Sequence, residues 1–130
     1  MSAQIMVVDD DQEMRQLISI TLLRYGYEVL EAAGGRQALA EIAQKPPDLL
    51  ILDVMMPDLN GLQVMRQLKL NRETISIPVI MLSAKCQEDD IAIMMQSGAD
   101  ACLPKPFSLR DLIHCIEQIL SGQDMHASRG

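Results

Sequence analysis

Two kinds of pattern alternate along the chain. Short apolar runs with few or no polar members mark one kind; longer stretches in which apolar residues recur every three or four positions mark the other. The first run, "IMVV" at residues 5–8, is too short for a helix and reads as a buried strand. From residues 11 to 25, Met14, Leu17, Ile18, Thr21, Leu22 and Tyr25 recur at helical spacing, and Gly26 is placed to end that helix. "YEVLEA" is a half-polar second strand. Gly34 and Gly35 break the chain, and residues 36–44 form a helix presenting Ala38, Leu39, Ile42 and Ala43 before Pro46 and Pro47 stop it.

"DLLILDVMM" is the most apolar segment, bounded by prolines, and reads as a central parallel strand buried on both faces. A loop over residues 57–61 leads to a third helix, residues 62–70, with Leu62, Met65 and Leu68 inward. "ISIPVIMLSA" is a fourth strand, with Pro78 tolerated near its start. Residues 88–97 form a fourth helix ended by Gly98, and "DACL" a short fifth strand. Ser108 caps a last helix whose Leu109, Leu112, Ile113, Ile116 and Leu120 face inward. Residues 122–130 are polar and read as a frayed tail or the start of a linker, leaving residues 1–121 as the domain. Five strand–helix units without repeats predict an α/β fold: a parallel sheet with helices on both faces. In such sheets ligands gather beyond the carboxyl ends of the strands, where the topology switches.

Composition narrows the possibilities. With 130 residues there is room for one domain and one proper core. Aromatic residues make up 2% and Trp is absent, so the core is aliphatic and Met-rich, which suits a base-stacking platform poorly. A net charge of −7 without a basic stripe argues against direct nucleic-acid binding and permits a cation partner. Cys86, Cys102 and Cys115 are odd in number and lack paired spacing, so they read as free thiols in a reducing compartment, not as a zinc site. Met55, Met56, Met94 and Met95 read as core filler. No segment resembles an export signal or is long enough to span a membrane, and the expected location is the cytoplasm.

The chemistry lies in the polar residues at strand ends. Asp9, Asp10 and Asp11 follow strand one; at about 5 Å and an effective dielectric near 20, each close pair repels by roughly 3 kcal/mol. Asp53 ends strand three, Ser83 ends strand four, and Lys105 with Pro106 follows strand five. A hard divalent cation held by carboxylate oxygens would neutralise the acids, with Lys105 as a further positive charge. Asp53, standing alone on the central strand, is the better nucleophile candidate; Asp9 and Asp10, as a pair, are the better metal ligands. A metal, an amine and a hydroxyl beside a carboxylate are what phosphoryl transfer needs.

"VVDDD", "LLILDVMMPDLNG", "VIMLSA" and "GADACLPKPF" together resemble the signature segments of the receiver domain of two-component response regulators, over residues 4–120. The resemblance implies a flavodoxin-like, doubly wound sandwich of five parallel strands in the order 2-1-3-4-5. It implies that Asp53 accepts a phosphoryl group from a sensor histidine kinase or phosphotransfer protein. It makes Asp9, Asp10, Asp53 and the backbone carbonyl of Met55 the ligands of Mg²⁺, with Mn²⁺ able to substitute. Ser83 and Lys105 would contact the phosphoryl group, the Lys105-Pro106 bond would be cis, and Asp11 would cap the first helix. The fourth helix, fifth strand and last helix would form the output face and a homodimer surface. Three positions depart or stand apart: Cys102 replaces the family's usual ring and bears on the switch with Ser83, and Met55 and Lys85 occupy positions that tune dephosphorylation in relatives.

Other readings are less well served. A helix-cap cluster accounts for one of the three aspartates, not for three with Asp53. A phosphohydrolase of the haloacid-dehalogenase type would need a second Asp two residues after the nucleophile, where Met55 stands. A phosphate-independent binding module would be expected to lack Asp53 or Lys105. The sequence therefore predicts a signalling switch that catalyses only its own phosphorylation and dephosphorylation.

Overall fold

The computed structural model describes residues 2–84 and 86–129, with side chains described as far as residue 122. Strands β1 (Gln4–Val8), β2 (Glu28–Ala32), β3 (Leu49–Asp53), β4 (Val79–Ser83) and β5 (Ala101–Pro104) alternate with helices α1 (Gln12–Arg24), α2 (Gly35–Gln44), α3 (Gly61–Lys69), α4 (Glu88–Gln96) and α5 (Leu109–Arg129). The strands form one sheet in the order β2-β1-β3-β4-β5, and every neighbouring pair is parallel. The chain runs outward from β1 to β2 and then returns across β1 to β3. The topology switches there, and the carboxyl ends of β1 and β3 lie side by side.

The unbroken apolar runs follow from the two-sided sheet. Successive residues of a strand point to opposite faces. Met6, Val8, Leu50, Leu52, Val79 and Met81 pack with Ala38 and Ile42 of α2, Val64, Met65 and Leu68 of α3 and Met94 of α4. Ile5, Val7, Leu49, Ile51, Ile80 and Leu82 pack with Ile18 and Leu22 of α1 and Leu112, Ile113 and Ile116 of α5. A strand with helices on both sides has no place for alternating polar residues. Pro78 stands just before β4, where its missing N–H is tolerated, and its carbonyl accepts from the Leu50 N–H at 2.9 Å.

Several elements differ from the expectation. The buried stripe of α1 is Ile18, Ser19 and Leu22, while Leu17 is 49% and Tyr25 is 56% exposed. Arg15 belongs to the same helical stripe, and its guanidinium bonds the Asp9 carbonyl and the exposed Glu31; with that stripe turned to the sheet, Leu17 faces outward. Only one methionine of each pair is core: Met56 and Met94 are buried, but Met55 and Met95 are exposed. Helix α5 continues to Arg129 and does not stop near residue 121; one glycine at 122 weakens a helix without breaking it. Gly26 does follow α1 with φ +88°, as a helix-ending glycine does. Among the described residues no helix is long and apolar enough to cross a membrane.

Candidate functional site

The register of the sheet brings the expected residues together. Val8 pairs with Leu52, so Asp9, one residue beyond β1, lies next to Asp53 at the end of β3. Asp53 pairs with Leu82, and Ser83 pairs with Pro104, the residue before Lys105. Parallel strands ending at one level therefore deliver side chains from four separate stretches of sequence to a single edge.

The three acids are not equivalent there. Asp9 and Asp53 are buried, while Asp10 is exposed. Asp9 Oδ1 accepts the Asp11 N–H at 2.9 Å, and its Oδ2 accepts from Lys105 Nζ at 3.1 Å. Lys105 Nζ also stands 3.4 Å from Asp53 Oδ1, which takes the Met55 N–H at 3.3 Å. Burial first, and then the nearby charge of Asp9, push the Asp53 carboxyl up to about 6, although Lys105 and the Met55 N–H pull the other way. Burial works against the charge on Lys105, but its bond to Asp9 and the negative charges of Asp53 and Asp9 win, and its pKa is raised.

Lys105 thus pairs with Asp9 and Asp53, and carboxylate oxygens of Asp9, Asp10 and Asp53 all lie within 4.8 Å of one another. These residues could hold a metal ion. Their donor set is all oxygen, which suits a hard divalent cation, and the crowded negative charge gives such an ion a favourable field.

The surroundings fix the loops. Asp11 caps α1 by accepting the Glu13 and Met14 N–H groups. The Lys105-Pro106 bond is cis. After β3, Val54 N–H bonds the Leu82 carbonyl and Gly61 N–H bonds the Val54 carbonyl, while Asn60 and Gln63 form a capping box on α3. A Cβ at Gly61 would lie 2.9 Å from the Asp53 carbonyl oxygen, so only glycine lets α3 start this close to the end of β3. Ser83 is buried, and its carbonyl accepts the Lys105 N–H at 2.8 Å. Ser83 and Met55 border a cleft of about 200 Å³ whose far wall includes Asp90, Ile93 and Met94 of α4. Cys102, on β5, is half-buried with Sγ 3.8 Å from Met95 Sδ of α4. Lys85 lies outside the described residues.

Two contributing residues are not singled out by the sequence reading. Arg15 donates from one terminal nitrogen to the Asp9 carbonyl at 2.7 Å and from Nε to Glu31 at 3.0 Å, holding the loop that carries the acid pair. Asp58 accepts from the first two amides of α2. A single Arg in a helix carries no periodicity and no motif, and Asp58, though inside the segment "LLILDVMMPDLNG", has nothing there to say what it bonds; their roles depend on what the fold puts opposite them.

Residues 5–117 match the response regulator receiver domain family. The phosphate regulon transcriptional regulatory protein PhoB of Pseudomonas aeruginosa is 41% identical over 116 residues, covering 89% of this chain and 51% of that protein. The transcriptional regulatory protein CpxR of Klebsiella pneumoniae is 44% identical over 117 residues, covering 90% of this chain and 49% of that protein. The chain thus spans about half the length of these relatives. Among solved structures, the chemotaxis protein CheY4 of Vibrio cholerae superposes with a TM-score of 0.86 at 31% identity, covering 91% of this chain and 98% of that one. A CheY-like receiver domain protein of Methanospirillum hungatei superposes with a TM-score of 0.89 at 28% identity, covering 97% of this chain and 99% of that one.

Proposed function

Because the chain belongs to the response regulator receiver domain family, we propose that it accepts a phosphoryl group on Asp53 and changes shape in response. The donor is a phosphohistidine on a sensor histidine kinase or a phosphotransfer protein. The observation that carries this reading is the edge-on cluster: a buried Asp53 flanked by Asp9, Lys105 and Ser83, each from a different strand end.

A carboxylate oxygen of Asp53 attacks phosphorus. The new O–P bond forms as the P–N bond to the donor breaks, and the electron pair returns to the donor imidazole. Lys105, already shared between Asp9 and Asp53, meets the charge of the phosphoryl oxygens, and the Ser83 hydroxyl donates to one of them. Asp9, Asp10 and Asp53, with the Met55 backbone carbonyl, would hold Mg²⁺, for which Mn²⁺ could substitute; the ion supplies positive charge against the carboxylates and the phosphoryl group. Movement of Ser83 acts on the cleft that it shares with Ile93 and Met94, and so on α4. The face of α4, β5 and α5 then presents the signal to a partner, to a second copy of the chain or to an attached output domain.

The domain turns over no external substrate. The residue two beyond Asp53 is Met55, whose thioether has no proton to give or take. Direct nucleic-acid and membrane binding are not part of this reading, and its donor places it in the cytoplasm.

Incubation with Mg²⁺ and acetyl phosphate should add one base-labile phosphate, read by intact mass. Asp53→Asn should take none, since an amide is a poor nucleophile. Labelling of that variant at the wild-type level would refute the assignment.

A further inference from the structure

We propose that Asp58 is a positioning residue for the metal site: by bonding the start of α2 it holds the loop after β3, and with it the Met55 carbonyl, in the arrangement the cation needs. The inference rests on the reading of Asp9, Asp10, Asp53 and Met55 as the metal's ligands. It adds a role for a residue that does not touch the ion.

Helix α2 begins without a cap of its own. Its N-cap residue is Gly34, which has no side chain to offer, and no cap bond is made there. The missing acceptor comes from 22 and 23 residues further along the chain. Asp58 Oδ1 takes the Gly35 N–H at 3.2 Å and Oδ2 takes the Arg36 N–H at 3.0 Å. A carboxylate spanning the first two amides of a helix satisfies two orphan donors and meets the positive end of the helix dipole. Gly34 is what permits the approach: a Cβ there would stand 2.9 Å from Asp58 Oδ2. The bonds from Arg36, Leu59 and Gly35 hold the Asp58 carboxyl below its ordinary range, so it is charged whenever the protein is folded near neutral pH.

The loop shows why this matters. Its two ends are fastened to the sheet and to α3, at Val54 and at Asn60 with Gly61. Between them, Met55 is 58% exposed and is held by its N–H bond to Asp53. Asp58 is the fastening in the middle, and it ties the segment to a different helix. A carbonyl ligand must point one way; each backbone residue left free to rotate adds conformational entropy that ion binding must overcome.

The test compares wild type, Asp58→Ala and Asp58→Ala/Gly34→Asp. The double variant gives α2 a cap from its own N-cap residue and restores the net charge, yet leaves the loop untied. Gly34 has φ −167°, extended backbone that Asp adopts readily, and the alanine at 58 clears the space. Mg²⁺ affinity by calorimetry, melting temperature and amide exchange over residues 54–60 are read for each. Asp58→Ala should weaken Mg²⁺ by about fivefold, the factor carried by roughly one loop residue left free to rotate, and speed exchange in the loop. The double variant should regain the melting temperature but neither the affinity nor the slow exchange. Unchanged affinity in Asp58→Ala, or affinity that returns with stability in the double variant, would overturn the inference. If wild type itself bound no Mg²⁺ while Asp58→Ala still loosened the loop, the metal reading would fall and take this inference with it.

Discussion

Asp9 and Asp10 are neighbours in sequence with opposite surroundings. Asp9 is fully buried and has both oxygens bonded, and Asp10 is exposed. The repulsion suggested by three adjacent acids is therefore concentrated between Asp9 and Asp53, the two that share Lys105 and lie out of solvent. The carboxyl of Asp53 bears the strain, with a pKa of about 6. In the unfolded chain the same group titrates near 3.9. Between those values the folded protein holds a proton that the unfolded chain has released, so in metal-free buffer this group's contribution to stability falls as pH rises through that window and stays low above it. Asp53→Asn lacks that loss. Its melting temperature relative to wild type in chelator should rise from pH 4 to pH 6 and then level off. A difference that stays constant across this range would show that Asp53 is not the strained group.

Among the elements, α4 is the most lightly held of those bordering the site. It buries Met94, whereas α3, of equal length, buries Gly61, Val64, Met65 and Leu68. Fewer buried contacts mean a lower cost of local opening. Amides of α4 should exchange faster than those of α3, and a beryllofluoride adduct at Asp53 should change exchange across residues 86–108. Cys102 sits where the family resemblance leads one to expect a ring, with the Met95 thioether of α4 beside its sulfur. Coupling through Ser83 and the cleft to α4 needs no ring. Cys102→Tyr should accordingly disturb the β5 face without enlarging the exchange response to beryllofluoride. A markedly larger response would mean that ring gating is retained and merely weakened by the thiol.

At the scale of the whole molecule, the sheet divides the interior into two apolar clusters, and the polar cluster crosses neither. The site sits at the rim, so its charge can change without opening the core. An ion bound only by the folded state stabilises by mass action, about 2.7 kcal/mol at a hundredfold excess over Kd. For a domain of this size Mg²⁺ at that excess should raise the melting temperature by roughly 10 °C. Na⁺ at the same ionic strength screens the net charge of −7 and should do far less. Equal shifts from the two salts would reduce the effect to general screening.

The local pattern was enough for the elements and for the ends of the strands. Four-residue apolar runs specify strands buried on both sides, helical spacing specifies what joins them, and alternation of the two specifies a parallel sheet. Once the strands are parallel, Asp53, Ser83 and Lys105 must fall on the same edge as Asp9. What the sequence left open depends on contacts between distant residues. The Lys105–Asp9 pair is 96 residues apart, and Asp58 meets α2 across 22 and 23. Periodicity misreads the rotation of α1: it puts Leu17 in the stripe, whereas Ser19 is buried in its place and Arg15 of that stripe bonds the Asp9 carbonyl. Periodicity reports which face of an element is apolar. Which side chain it meets, and how deeply each acid is buried, is decided only when the neighbouring elements pack.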